Sequence, residues 1–571
     1  MKPTNEHPVL ILGAGINGAA VARELLLNEV PVVVVDLDDM ASGATARSSR
    51  LIHGGLRYLE YADFRLVRES LHERTRLHQL APQFVKPLQL YIPVTSRLSG
   101  ILQSTFRFLG LASFAEKFAT SKGRGKWLVQ VGLWLYDRMV TDSAFSNSRT
   151  IALGNNASLQ VNSSKYRWLC SYWDAQILYP ERFVVSMFHD ARQLAKEKKV
   201  SFQLFTYHNI NRKDNSFELS PVNQQLSKKN EHETITPALV INASGAWGDM
   251  TLEGIDISHA PLLGGTKGSH CIISHEGLRK EIGDAGIYAE APDGRPVFLL
   301  PFAGKTVLVG TTDIPFSDRP EKAIATEEEL LYLLKHAQNL FPQVNLSRDD
   351  IIMHYSGVRP LPAAPKGKTA AISRGHSINM VEIKGLPVMT LIGGKLTTCR
   401  IFAEDVVQSL KEKLDLTEIN NSQNRPFPGA NNYPSTLKAI EEEWKQLSQN
   451  YQIDIHSIAA MWELCGTDVR IYLQENYAML NVMIFETALP RSFVFWMIER
   501  EWVTTLDDLV ERRLMLLFQN RLARQTLIEL AESLVDAGKL KAKDIPETVQ
   551  KTIDNLFKTY GKITTELRNM S

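Results

Sequence analysis

Apolar and polar positions in the first forty residues predict a strand, a glycine turn, a helix and a second strand. Val9-Leu10-Ile11-Leu12 is an unbroken apolar run, the pattern of a parallel strand buried on both faces. Gly13-Ala14-Gly15-Ile16-Asn17-Gly18 follows, and Ala19 to Asn28 has helix-forming composition. Pro31 then precedes Val32-Val33-Val34-Val35, which ends at Asp36. Far along the chain, Val240–Gly245 reads as another strand closing on a small-residue turn, and β-branched stretches around 269–274 and 297–309 alternate as strands do. Gly393-Gly394-Lys395 precedes a helical stretch from Thr397 to about Leu414. Asn420 to Pro434, rich in Asn, Pro and Gly, reads as a linker. Residues 435–571 are nearly all helical in pattern, with charged faces such as Lys438–Lys445 and Glu499–Arg513 that a solvated helical domain would present.

Composition narrows the class. A chain of 571 residues exceeds one compact core and predicts two to four domains. With 64 basic and 63 acidic residues the net charge is +1, so no global field draws it to nucleic acid, and no nucleic-acid partner is expected. Cysteines 170, 271, 399 and 465 have no paired spacing and read as free thiols of a reducing compartment. No apolar run reaches the eighteen residues or so that a spanning helix needs. Glu6 and the glycines interrupt any signal-like apolar region at the N-terminus, so a cleaved signal is not expected. The tail has no Asp-rich calcium loop, and no metal site is expected.

The opening motif has a physical logic. Gly13 permits the tight turn, Gly15 lets the backbone approach a pyrophosphate, and Gly18 lets helix and strand pack closely. The helix N-terminus offers N–H groups and a positive dipole end to phosphates. Asp36, 18 residues after the last glycine, is placed to accept hydrogen bonds from a ribose hydroxyl pair. This pattern fits NAD and FAD alike.

Residues 42–61 separate the two. They read Ser-Gly-Ala-Thr-Ala-Arg-Ser-Ser-Arg-Leu-Ile-His-Gly-Gly-Leu-Arg-Tyr-Leu-Glu-Tyr, small hydroxyl residues and glycines suited to wrapping a flat ligand. The string SSRLIHGGLRYLE, residues 48–60, resembles the FAD-dependent glycerol-3-phosphate dehydrogenases of the respiratory, quinone-linked type. The resemblance continues through Tyr136-Asp137, Tyr172-Trp173-Asp174, Val240–Trp247, Lys267-Gly268-Ser269-His270, Gly310–Asp313, Tyr355–Pro360 and Gly393–Thr398, and more weakly around Arg491–Phe518. Two departures stand out. Tyr179-Pro180-Glu181-Arg182 replaces a usual Asp-Asp-Ala-Arg string and leaves the local helix start open, and Cys399 replaces a common aromatic residue.

The resemblance implies an α/β fold: an FAD-binding Rossmann-like domain assembled from discontinuous segments, an inserted α+β substrate domain, and a C-terminal all-helical domain. Expected boundaries are 1–85, 161–255 and 351–419 for the FAD domain, 86–160 for a substrate- or membrane-facing insertion, and 256–350 for the β-rich substrate domain. The linker 420–434 and the helical domain 435–571 follow. It further implies non-covalent FAD, held by Gly13, Gly15, Asn17, Gly18, Asp36, Ser42, Thr45, Ser48, Ser49, His53, Gly54, Ala243, Gly245, Gly394 and Leu396.

The implied reaction moves a hydride from C2 of glycerol 3-phosphate to the flavin N5 while a base takes the hydroxyl proton. Arginine suits the phosphate because its planar fork pairs bidentately with phosphate oxygens. The resemblance points to Arg57, Arg359 and Arg374, with Tyr58, Thr312 and Thr397 also on the substrate. His270 is the first choice of base, since imidazole titrates near neutrality, and Lys395 is its rival if desolvated. Oxidation by oxygen, and an amine- or amino-acid-oxidase-like activity on the same fold, are the competing functions.

The family usually delivers electrons to a membrane quinone. Between Arg97 and Tyr136, five basic residues (Arg107, Lys117, Lys122, Arg124, Lys126) stand against the single acid Glu116 and interleave with Phe, Trp and Leu. That mixture suits an anionic bilayer interface, so a peripheral attachment to the cytoplasmic face of the cell membrane through 97–136 is expected. An ordinary amphipathic helix pair packed on the protein competes with it. A homodimer is left open.

Overall fold

The computed structural model describes residues 2–61, 63–96, 125–139, 142–154, 159–222, 233–291, 293–363, 375–476, 480 and 482–565, without the side chains of residues 57, 60 and 61. The two apolar runs at the start of the chain do become neighbouring strands of one sheet. Six strands lie in the order Ser377–Ile383, Leu386–Ile392, Leu239–Asn242, Val9–Leu12, Val32–Val35 and Phe202–Phe205, all parallel except the edge hairpin formed by the first two. Val9 pairs with both Val32 and Leu239, so the chain's first strand sits at the sheet centre. There both of its faces are covered, as its unbroken apolar run requires. Helices Ile16–Leu27, Pro180–Lys198 and Cys399–Ser409 pack on one face. Phe217, Leu219 and Ile235 of a small three-stranded sheet close the other.

A second sheet of ten strands forms the other half of the molecule. Leu263–Ile273 is its long spine, paired antiparallel along one edge with Ile351–Pro362 and on the other with Thr306–Gly310 and Ile314–Pro315. Its membership corrects the expected boundaries. Leu51–Ile52, Val85–Val94, Trp168–Ile177 and Ile351–Pro362, which the segment boundaries spread over the FAD domain and the insertion, all belong to this sheet. Alternation identifies a strand but not the distant partner it pairs with.

The C-terminal helices are more than a solvated domain. Asp39, beyond the second nucleotide-fold strand, accepts from Arg512 Nε at 2.6 Å and from Arg513 Nη1 and Nη2 at 2.7 and 2.9 Å, and neither Asp39 nor Arg513 is exposed at all. Arg182 forks onto Glu501 at 2.5 and 2.9 Å. The open helix start is settled: Pro180 occupies the first turn of Pro180–Lys198, where a missing N–H costs nothing. The segment 420–434 is likewise docked rather than a free linker. Phe427 is buried under the Arg23 guanidinium, 4.2 Å from the ring centroid, and Arg425 holds Asp190. Replacing Asp39 by alanine leaves the buried Arg513 with only the Glu501 carboxylate at 4.0 Å, whereas Arg512 keeps Asp508 at 3.1 Å and Glu511 at 2.8 Å. The substitution is expected to cost about 3–5 kcal/mol, read as a lower unfolding temperature with the C-terminal helices released first in hydrogen exchange.

Candidate active site

A cavity of about 1100 Å³ runs between the two sheets. Its nucleotide end is built by glycines. Gly13 has φ +111°, and a Cβ there would stand 2.7 Å from the Ala243 carbonyl oxygen; at Gly18 a Cβ would collide with the Gly13 carbonyl. No side chain caps the helix that starts after Gly15. Asp36 closes the second strand with its carboxylate fixed by the N–H groups of Ala14 at 2.6 Å and Asp38 at 3.0 Å, and burial pushes its pKa up to about 7. Thr45 Oγ1 accepts the Ile16 N–H at 3.1 Å. Asn17 donates to the Gly393 carbonyl at 3.2 Å, whereas its buried Oδ1 has no hydrogen-bond partner among the described residues. Gly394, at φ +90°, passes so close that a Cβ would stand 2.9 Å from Asn17 Nδ2. An orphan acceptor and backbone turns that exclude side chains both fit a bound dinucleotide.

The opposite wall carries the titratable and cationic side chains. His270, on the spine strand, is 2 % exposed, lies stacked 4.9 Å from the Tyr355 ring, and has Nε2 at 2.8 Å from Ser49 Oγ. Tyr355 donates its hydroxyl to the Ser48 carbonyl at 2.9 Å, tying this stack to the flavin-wrapping segment. Burial pushes His270 down to about 3, with Arg359 and Arg50 adding to the effect, so the imidazole is neutral at physiological pH. Gly310 opposes it in the next strand, where any Cβ would run into the ring. Arg359 reaches Asp313 at 2.8 Å, Thr266 and Thr311 hydroxyls at 3.2 Å and the Thr312 carbonyl at 3.3 Å, lying over Gly268, which leaves it room. Lys395 Nζ sits 4.1 Å from the Tyr58 ring centroid. The Thr397 hydroxyl accepts the His53 N–H at 3.0 Å.

Most residues expected at the site do line this cavity: Gly13, Gly15, Asn17, Asp36, Ser42, Thr45, Ser48, Ser49, His53 and Tyr58 from the N-terminal segment, then Ala243, Gly245, His270, Arg359, Gly394, Lys395, Leu396 and Thr397. Three do not. Gly18 serves helix packing alone, and the Gly54 N–H points to Tyr136 Oη at 3.0 Å and Asp174 Oδ1 at 3.1 Å. Thr312 is a correction: its buried hydroxyl donates to Glu329 at 2.7 Å and accepts the Ser269 N–H at 2.9 Å, so it braces the spine strand behind the wall. The Arg57 side chain, Arg374 and the stretch 97–124 lie outside the described residues, although Gly375 lines the cavity. Sequence reasoning passed over Arg47, Arg50 and Tyr355. Arg50 is fully buried, forks onto Glu181 at 2.6 and 2.9 Å, and places its guanidinium 5.7 Å from the Tyr355 ring. Glu181, in the departing Tyr-Pro-Glu-Arg string, therefore supports the wall that carries His270. All three missed residues lay within quoted motifs, so the signal was present. Among the described residues no cluster of potential metal ligands exists.

A nucleotide fold with an orphan acceptor at one end and a neutral imidazole beside a guanidinium at the other defines a redox enzyme built around FAD. A family model described as DAO, FAD dependent oxidoreductase, matches residues 8–400, and the chain belongs to that family. Within it the chain belongs to the glycerol-3-phosphate dehydrogenases. It is 31% identical over 530 residues to a glycerol-3-phosphate dehydrogenase of Synechocystis, covering 89% of this chain and 88% of that one. A D-erythritol 1-phosphate dehydrogenase of Brucella abortus is 28% identical over 517 residues, covering 88% and 93%. The glycerol-3-phosphate dehydrogenase of Bacillus halodurans, solved with FAD, shares the fold with a TM-score of 0.69 at 18% identity, covering 97% of this chain and 95% of that one.

Proposed function

We propose that this enzyme oxidises sn-glycerol 3-phosphate to dihydroxyacetone phosphate and passes the electrons to a membrane quinone. The observation that carries the reading is the placement of a neutral His270 and a cationic Arg359 on one wall of a cavity whose other end is built for a dinucleotide. FAD, held at the glycine-built end by the Gly13–Gly15 turn, Asn17 and Asp36, would supply the two-electron chemistry. Arg359 grips the phosphate, with Arg57 and Arg374 as further expected partners. Asp313 restrains the Arg359 fork before substrate arrives, which limits the ordering cost of binding. His270 takes the hydroxyl proton on an imidazole oriented by Ser49 and the Tyr355 stack. Lys395, over Tyr58, offsets the negative charge that develops on the oxygen.

Delivery to quinone is supported by the helix Lys126–Met139. Trp127, Val131 and Trp134 are 55%, 56% and 53% exposed, at spacings of four and three that put them on one helix face. Lys126 and Arg138 flank the two tryptophans, 5.7 and 4.8 Å from their ring centroids. Basic residues beside exposed indoles suit the interface of an anionic bilayer. Among the described residues no helix is long and apolar enough to cross a membrane. Turnover with glycerol 3-phosphate is expected to reduce a short-chain quinone with little hydrogen peroxide, and to run faster than with D-erythritol 1-phosphate. Stoichiometric peroxide with no quinone reduction would make the enzyme an oxidase instead. Changing both Trp127 and Trp134 to alanine is expected to lower the vesicle-bound fraction about tenfold or more, given the apolar area lost.

A further inference from the structure

A second cavity, of about 340 Å³, lies far from the chemistry, where helix Pro180–Lys198 of the FAD domain meets the C-terminal helices. Four cationic side chains line it: Arg182, Arg192, Lys196 and Arg500. Two of them are balanced, Arg182 by its fork onto Glu501 and Arg500 by Glu475 at 2.7 Å. Arg192 and Lys196 form no ion pair within 4 Å among the described residues. Arg192 instead lies over the Trp502 ring at 4.4 Å and donates to the Arg500 carbonyl at 3.0 Å. Burial and the neighbouring Arg500 charge press its pKa downward, and the attraction of Glu501, already forked by Arg182, offsets only part of that.

His189 adds a second, independent observation. Arg192 Nη2 can only donate, so in their 3.0 Å contact His189 Nδ1 is the acceptor. The neutral ring therefore carries its proton on Nε2, and burial, which pushes this imidazole down to about 4, keeps it in that form. Nε2 is shielded from solvent and has no hydrogen-bond partner among the described residues; Glu501 Oε1 is 3.8 Å away. A buried donor without an acceptor costs about 1–3 kcal/mol and calls for an explanation. An anion in the cavity would answer both the orphan donor and the only partly compensated guanidinium. Asp468, the other acid lining the space, is pushed up to about 6 by burial and is the group that such an anion would repel.

We propose that this cavity is a binding site for a phosphomonoester, held by Arg192, Lys196 and the Nε2–H of His189 and separate from the substrate cavity. Apart from Phe84, its walls come from residues 182–196 and 428–501, parts of the chain distant in sequence. Occupancy therefore favours the docked arrangement of the C-terminal helices and stabilises the enzyme by mass action. The same helix carries Glu181, the partner of Arg50 behind the His270 wall, so the site is connected to the catalytic wall by one rigid element.

Inorganic phosphate, titrated calorimetrically into the FAD-loaded enzyme, tests the proposal. Arg359→Ala removes the phosphate grip of the substrate cavity, and Arg192→Gln and Lys196→Gln each remove one of the new site. Saturable phosphate binding is expected to persist in Arg359→Ala and to weaken at least tenfold in Arg192→Gln. The exposed Lys196→Gln, which carries little folding risk, should weaken it severalfold. The unfolding temperature of wild type should rise with phosphate, and that rise should shrink in both variants of the new site. Loss of all binding in Arg359→Ala, or undiminished binding in both Arg192→Gln and Lys196→Gln, would overturn the proposal. Neither result depends on which alcohol the enzyme oxidises, so the catalytic reading stands or falls separately.

Discussion

Replacing Arg359 by alanine is expected to raise the Michaelis constant for glycerol 3-phosphate about 100-fold while FAD stays bound and yellow. The guanidinium lies over Gly268 with a 2.8 Å contact to Asp313, and its position is fixed by two threonine hydroxyls and a carbonyl. A charge-assisted hydrogen bond to phosphate is worth roughly 1.5–3 kcal/mol, and a bidentate pair more. The expected effect stays at the lower end because Asp313 already neutralises part of the charge in the free enzyme. Lysine at this position should recover only a fraction, since an ammonium lacks the planar fork. Steady-state kinetics with cofactor content measured in parallel decide it. An unchanged constant would remove Arg359 from the substrate site.

Loss of the His270 imidazole is expected to be larger in rate than in affinity. His270→Asn should lower the rate of flavin reduction by roughly 10²–10⁴, the usual worth of a positioned general base. Burial holds its pKa near 3, below the ordinary value, so the base form is present across neutral pH and is lost only as pH falls through about 3. An acidic limb in kcat/KM near pH 6 to 7 would therefore belong to another group, such as the substrate phosphate, and should survive in His270→Asn. A loss below tenfold would transfer the base role to Lys395 or to solvent.

The nucleotide-binding end was legible because its determinants are local. Two apolar runs, three spaced glycines and an acid eighteen residues later specify one strand-turn-helix-strand unit, and the structure pairs those runs side by side. His270 entered as a candidate base only through resemblance, since on an apolar strand it reads equally as core. What escaped was long-range pairing. Trp168–Ile177 alternates like any half-buried strand, and nothing in it announces that Val85–Val94 will be its partner. Arg512 and Arg513 look like part of a solvated charged face until Asp39, more than 470 positions earlier, is seen buried between them. Thr312 shows the converse: a polar residue inside a specific motif was assigned to substrate, whereas Glu329, seventeen residues further on, had already claimed its hydroxyl.

The central claim is that the FAD held in the large cavity is reduced directly by a small phosphorylated alcohol gripped on the His270 wall. Anaerobic stopped-flow mixing of the FAD-loaded enzyme with glycerol 3-phosphate tests it with the fewest assumptions. The account predicts rapid bleaching of the flavin absorbance with one equivalent of dihydroxyacetone phosphate formed, slowed by orders of magnitude in His270→Asn. A flavin band that stays unchanged when the wild-type enzyme meets saturating glycerol 3-phosphate without oxygen would contradict it.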